Sequence, residues 1–248
     1  MTDSIDRTTN PCGLQRKFRN DGSHCLEIGV DEVGRGCLFG PVCTAAVAIP
    51  DDMPFLLNPR NVIKDSKKLS KLQRERLYKF ILGHATYVEV TMTTNQEIDE
   101  SNILRATMKS MHQSITKVLH THHIKTGKSI SAVSTQLLID GTYFEPFLFD
   151  KTIMIPHVCV PQGDAHYLAI ACASIIAKVT RDRWIKSIVE VNPTWKEKYG
   201  FHTNMGYGTK AHMDGIKEHG VTEYHRMSFA PCGNRRVVTC LIEDSDDE

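Results

Sequence analysis

The chain has 248 residues, 41% of them hydrophobic and 24% charged, a composition that excludes wholesale disorder and fits one globular body with extensions. No apolar run approaches the ~20 residues of a membrane span, and the opening residues, with Asp3, Asp6 and Arg7, lack the apolar stretch of a secretory signal. The net charge is +1, but five of the 29 acids fall within residues 243–248, leaving 30 bases against 24 acids elsewhere; such a basic body suits a polyanionic partner without specifying one.

Residues 1–25 are polar and without periodicity, so they read as a loose leader. Residues 26–31 and 42–49 are apolar and β-branched, and the glycine-rich stretch 34–40 between them predicts two strands joined by a turn. Leu72, Leu77, Phe80 and Ile81 predict an amphipathic helix over 70–82, with Lys71, Arg74, Arg76 and Lys79 on its solvated face. A third strand is expected over 86–94. A single helix from about residue 96 or 101 to 120 should bury Ile103, Leu104, Met108, Met111, Ile115 and Leu119. Residues 121–134 read as a polar loop, and His120, His122 and His123 lack the partner spacing of a zinc site. Short strands follow at 137–140 and 153–160, the second interrupted by Pro156. A long helix over 165–191 then carries a stripe of Leu168, Ala169, Cys172, Ile175, Ile176, Val179, Ile185 and Ile188. This order predicts an α/β layer fold with a mixed sheet, and residues 232–248 read as an acidic tail.

The eight cysteines, scattered from Cys12 to Cys240 with no CxxC pair, indicate reduced thiols in the cytoplasm or nucleus. Four acids occupy strand ends or helix starts: Asp31 and Glu32 after the first strand, Asp140 after the fourth, and Asp164 before the long helix. Such positions converge on one edge of an α/β sheet. Clustered carboxylates repel unless cations neutralise them, and hard oxygen donors suit Mg²⁺ or Mn²⁺. Taken singly, Asp140 before Gly141 reads equally as a turn aspartate, and Asp164 as a helix cap.

Longer motifs add to that pattern. The run from Ile28 through Asp31, Glu32, Gly34, Arg35 and Gly36 to Gly40, Pro41 and Val42 resembles the first signature of the ribonuclease HII family. Further blocks resemble the same family in order: residues 65–69 (Asp-Ser-Lys-Lys-Leu), 97–99 with 102–104, 139–141, 163–165, 173–182, 206–209 (Gly-Tyr-Gly-Thr) and 225–229. The resemblance covers about residues 26–231 and implies a ribonuclease H-like fold, a five-stranded mixed sheet flanked by helices.

It also implies that Asp31, Glu32, Asp140 and Asp164 are the catalytic metal ligands, for Mg²⁺ or Mn²⁺. Strand alternation sends Asp31 and Glu32 to opposite faces, so Glu32 has to reach a shared site from the strand end or through its carbonyl. By resemblance, Gly34, Arg35 and Gly36 contact the ribose 2′-hydroxyl, Tyr207 packs on the sugar at the RNA–DNA junction, and Ser66, Lys67, Lys68 and Lys178 face the nucleic-acid backbone. Arg181 and Asp182 read equally as a structural helix pair. Cys37 stands where the family usually has proline, and Gln162 where it often has lysine. The implied protein is a monomer that cuts RNA/DNA hybrids and duplex DNA containing ribonucleotides, with no membrane partner. Two other readings stay open at this point: a catalytically silent duplex-binding subunit, and a DNA recombinase or resolvase.

Overall fold

The computed structural model describes residues 13–19, 25–51, 63, 69–234 and 237. Strand β1 (Leu26–Val33) runs antiparallel to β2 (Val42–Ala48), which runs antiparallel to β3 (Tyr87–Thr93). On its other side β1 pairs in parallel with β4 (Thr135–Asp140), and β4 with β7 (His157–Val160). The sheet order is therefore β3-β2-β1-β4-β7, the expected five-stranded mixed sheet. Every residue of β2 is buried, as expected of a strand covered by helices on both faces.

Alternation along the strands divides the core in two. Ile28, Val30, Ala46 and Ile139 pack against α3 (Ile103–Thr126), with Met108, Met111, Ile115 and Leu119 opposite them. Cys43, Ala45 and Val47 face α4 (Leu168–Val191), which also meets Leu77 and Ile81 of α1 (Lys71–His84). A Cβ at Gly29 would lie 2.2 Å from the Ala169 carbonyl carbon, so α4 rests directly on the β1 backbone. The later helices α5 (Thr194–Lys198), α6 (Phe201–Asn204) and α7 (Lys210–His219) close over residues 37–41 through a cluster including Phe39, Trp195, Tyr199 and Phe201.

Several sequence expectations need correction. The helix expected from residue 96 or 101 is two helices. Thr94 and Glu97 form a capping box on α2 (Asn95–Glu100), and the Asn102 side chain then caps a fresh start. α3 runs on to Thr126 and stops where Gly127 adopts φ 66°, so residues 121–126 are helical rather than loop. Leu72, expected in the core, is 81% exposed. Pro156, which has no N–H to donate, separates β7 from β6 (Ile153–Ile155). β6 pairs instead with β5 (Phe147–Phe149), which the sequence reading missed. Residues 13–19 are not a loose leader: Leu14 is buried in the α4 core, and Glu27 accepts the backbone amides of Phe18 and Arg19 at 2.9 and 2.8 Å. Cys232, placed in the tail, is fully buried. The acidic run 243–248 lies outside the described residues, as do Ser66, Lys67 and Lys68.

Two histidines, His212 and His225, are almost completely buried in the closing segment. Burial pushes both imidazoles down, and the neighbouring His212 adds to the effect on His225, which falls to about 3. A histidine depressed in the fold contributes full stability above its unfolded value of 6.5, and loses it as pH falls toward the folded value. Unfolding free energy should therefore drop by up to about 1.4 kcal/mol per pH unit for each such proton below about pH 6.5. Urea titrations of the native chain and His225→Leu check this: the native curve should fall more steeply, and parallel curves would refute it.

Candidate active site

Val30 of β1 and Ile139 of β4 are register partners, and the next residue on each strand is an aspartate. Both preceding side chains point toward α3, so alternation turns Asp31 and Asp140 toward α4. There Asp31 is hydrogen-bonded by Ser174 of α4, and its Oδ1 accepts the Glu32 amide at 2.7 Å. Asp140 Oδ1 accepts the Gly163 amide at 2.6 Å. Gln162 turns the chain with φ 56° into the 3-10 turn Gly163–Ala165, which holds Asp164 buried one residue beyond that amide.

Asp31, Glu32 and Asp140 line one cavity of about 300 Å³ with Ser174 and Lys178. Glu32 reaches it because it lies past the last pairing of β1 with β4, and Arg35 holds it at 3.4 Å. The walls include the Gly34–Gly36 loop and Tyr207, but the buried Asp164 does not line the cavity. Burial, then the charges of Glu32 and Asp140, push the Asp31 carboxyl well above the usual range, against hydrogen bonds from Ser174 and the Glu32 amide. Glu32 is also raised, by burial and Asp140, with Arg35 opposing. Among the described residues no three acids, histidines or cysteines form a ready-made metal cage.

The two glycines of the loop have different reasons to be glycine. Gly34 has φ 93°, and a Cβ there would lie 2.3 Å from Arg181 Nε, so the fold itself requires it. A Cβ at Gly36 would meet nothing within 4 Å, so packing leaves that position open toward the cavity. Tyr207 is 39% exposed, with Lys178 Nζ 5.7 Å and the Arg181 guanidinium 5.9 Å from its ring centre.

Four contributors escaped the sequence reading. Arg74, expected to be solvated, is half-buried and lines the cavity. Ser174 was only part of a motif. Arg181 is no surface helix partner, since Asp182 pairs instead with Lys178 at 2.8 Å. Arg181 is fully buried and donates to the carbonyls of Pro41, Phe39 and Met205 at 2.9, 2.7 and 2.8 Å. Arg226, also fully buried, donates to the carbonyls of Gly40 and Arg35 at 3.0 and 2.8 Å. The two arginines thus tie the glycine loop to the Tyr207 segment and to the segment around Arg226.

A family model described as Ribonuclease HII matches residues 28–232. A Bacillus cereus protein named ribonuclease HII is 43% identical over 203 residues, covering 82% of this chain and 68% of its own length. The crystal structure of ribonuclease H2 from Pyrococcus horikoshii OT3 superposes with TM-score 0.61 at 23% identity, over 84% of this chain and 95% of that one. That of Bst-RNase HIII in complex with Mn²⁺ gives 0.62 at 18% identity, over 85% and 69%; at these identities the likeness concerns the fold. With Asp31, Glu32 and Asp140 brought to one cavity at the sheet edge and the family model matched along nearly the whole described body, the chain belongs to the ribonuclease HII family, enzymes of the ribonuclease H type.

Proposed function

We propose that this chain hydrolyses the RNA strand of RNA/DNA hybrids and cuts at ribonucleotides embedded in duplex DNA, leaving 3′-hydroxyl and 5′-phosphate ends. The observation that carries the reading is the sharing of one cavity by Asp31, Glu32 and Asp140 with the Gly34–Gly36 loop. Buried, mutually repelling carboxylates with hard oxygen donors fit divalent cations, because a cation removes the penalty that raises the Asp31 carboxyl. Asp31, Glu32, Asp140 and Asp164 would hold Mg²⁺ or Mn²⁺, two ions in all. Such ions supply an acidified water and neutralise charge on the leaving oxygen.

The chain's own groups do the rest. The Ser174 hydroxyl and the Gly163 amide orient Asp31 and Asp140. The open Cβ position of Gly36 supports close approach of main-chain amides to a 2′-hydroxyl, the group that separates RNA from DNA. Lys178 offers positive charge without sequence information, and Arg74 adds a cation to the same wall. A strand-labelled hybrid incubated with Mg²⁺, with Mn²⁺ and with chelator tests the reading. Cleavage of the RNA strand should need a divalent ion; undiminished cleavage in chelator, or attack on the DNA strand, would overturn it.

Tyr207 is the proposed contact with the sugar beside the cut. Tyr207→Ala should lower kcat/KM about ten- to a hundredfold, corresponding to ~1–3 kcal/mol of stacking. The loss should be larger on a duplex with one embedded ribonucleotide than on a long hybrid, which offers many registers. Its partial burial means that melting temperature should also fall somewhat, so the ratio between the two substrates is the informative measurement. An unchanged ratio would remove the junction role.

A further inference from the structure

A pair of buried imidazoles is linked to the main chain of Tyr207 through His212. His212 of α7 and His225 of the closing segment face each other with their Nε2 atoms 3.0 Å apart. His212 Nδ1 lies 2.9 Å from the Tyr207 carbonyl oxygen. His225 Nδ1 lies 2.9 Å from both the backbone nitrogen and the hydroxyl of Thr222. Aromatic rings enclose the pair, with Phe201 4.9 Å from His212, and Phe39 and Tyr199 5.2 and 5.3 Å from His225 between centroids.

One arrangement of protons satisfies every contact. The Thr222 amide can only donate, so His225 Nδ1 is bare and its neutral ring carries the proton on Nε2. A carbonyl can only accept, so His212 carries its proton on Nδ1 and leaves Nε2 bare. His225 Nε2–H therefore donates to His212 Nε2, and His212 Nδ1–H donates to Tyr207. An extra proton on either ring would set two donors against each other. At the far end of the same residue, the Tyr207 hydroxyl donates to the Cys37 sulfur, and the two residues are bridged between their backbones. The ring is thus held at both ends beside the cavity.

We propose that the His212–His225 pair is a positioning device: by holding the Tyr207 carbonyl through one proton arrangement, it sets where the ring lies against the nucleotide and with it the preference for a lone ribonucleotide. The proposal rests on the reading of Tyr207 as a substrate contact. Neither histidine touches substrate; both act through Tyr207.

Conservative replacements separate this role from simple packing. An asparagine amide at 212 takes the place of Nδ1 and can still donate to Tyr207, whereas a glutamine amide reaches toward His225 and leaves the carbonyl held only by the Thr209 amide, which donates to it at 2.8 Å. His212→Asn should keep kcat/KM on a single-ribonucleotide duplex within about threefold. His212→Gln should lower it about tenfold, the effect of one buried hydrogen bond, with a smaller loss on a long hybrid. Melting temperatures of the two variants should fall alike. Equal impairment of both, or losses that match on the two substrates and follow melting temperature, would overturn the proposal. Tyr207→Ala run alongside distinguishes the failures. If it discriminates between substrates and His212→Gln does not, the relay falls alone; if Tyr207→Ala does not discriminate, the substrate-contact reading falls and the relay with it. Nitrogen-15 histidine spectra of the unaltered chain give a check independent of variant folding. His212 should carry its proton on Nδ1 and His225 on Nε2, and any other tautomer pair would refute the relay.

Discussion

An Asp31→Asn chain should lose cleavage by roughly a thousandfold or more, yet melt at a higher temperature than the native chain in chelator. The first effect follows from the proposed ligand role, since metal stabilisation of transition-state charge amounts to several kcal/mol and ~4 kcal/mol is about a thousandfold. The second follows from the site's electrostatics. Burial, Glu32 and Asp140 hold the Asp31 carboxyl well above its usual value of 3.8. An acid raised in the fold favours folding only while protonated, and that advantage is lost as pH rises through the folded value. At neutral pH, well above that ordinary value, the acid therefore costs the fold stability, and a neutral amide of the same shape, which has no proton to lose, relieves that cost. Added Mg²⁺ or Mn²⁺ should raise the native melting temperature and leave the variant's nearly unmoved. Calorimetry with chelator and with metal reads both. Near-native turnover in Asp31→Asn, or a melting point below native in chelator, would mean that this acid is structural.

Arg181→Met should be the most destabilising single change near the site. It strands the carbonyls of Phe39, Pro41 and Met205 in a buried setting, and each unsatisfied group costs ~1–3 kcal/mol. A total of about 3–5 kcal/mol at ~2–4 °C per kcal/mol is a drop of roughly ten degrees or more. Arg181→Lys should restore little, because an ammonium lacks the planar fork that reaches three carbonyls at once. Arg183→Met is the control on the same helix: its ion pair with Glu75 is partly exposed and should be worth less than about 1 kcal/mol. Activity should fall with Arg181→Met even below its melting point, because the glycine loop and the Tyr207 segment lose their shared anchor. A melting point equal to that of Arg183→Met would refute this role.

The fold was largely legible where elements are long and local. The strands around Asp31 and Asp140 and the long helix over Ser174 follow from periodicity. The errors lie where a short polar signal competes with a run of apolar residues. Asn102 restarts a helix that otherwise looks continuous, Gly127 rather than the histidines ends it, and Pro156 sends two halves of one apolar run to different sheets.

The candidate site divides in the same way. Asp31, Glu32, Asp140, Asp164, Gly34 to Gly36 and Tyr207 could be singled out from the sequence, because each sits in a short motif whose neighbours constrain it locally. The division of labour among them could not: that Gly34 is required by the Arg181 side chain while Gly36 faces open space depends on a helix 147 residues further along the chain. Arg181 reaches Phe39 across 142 residues and Arg226 reaches Arg35 across 191, so no local pattern announces either partner. The His212–His225 relay is equally silent in the sequence, since spacing says nothing of which way an imidazole faces. Residue type and order thus determined the family and singled out the candidate acids, while the buried groups around them were decided only by tertiary packing. A polar side chain taken out of water has to find its partners among whatever backbone the fold brings beside it.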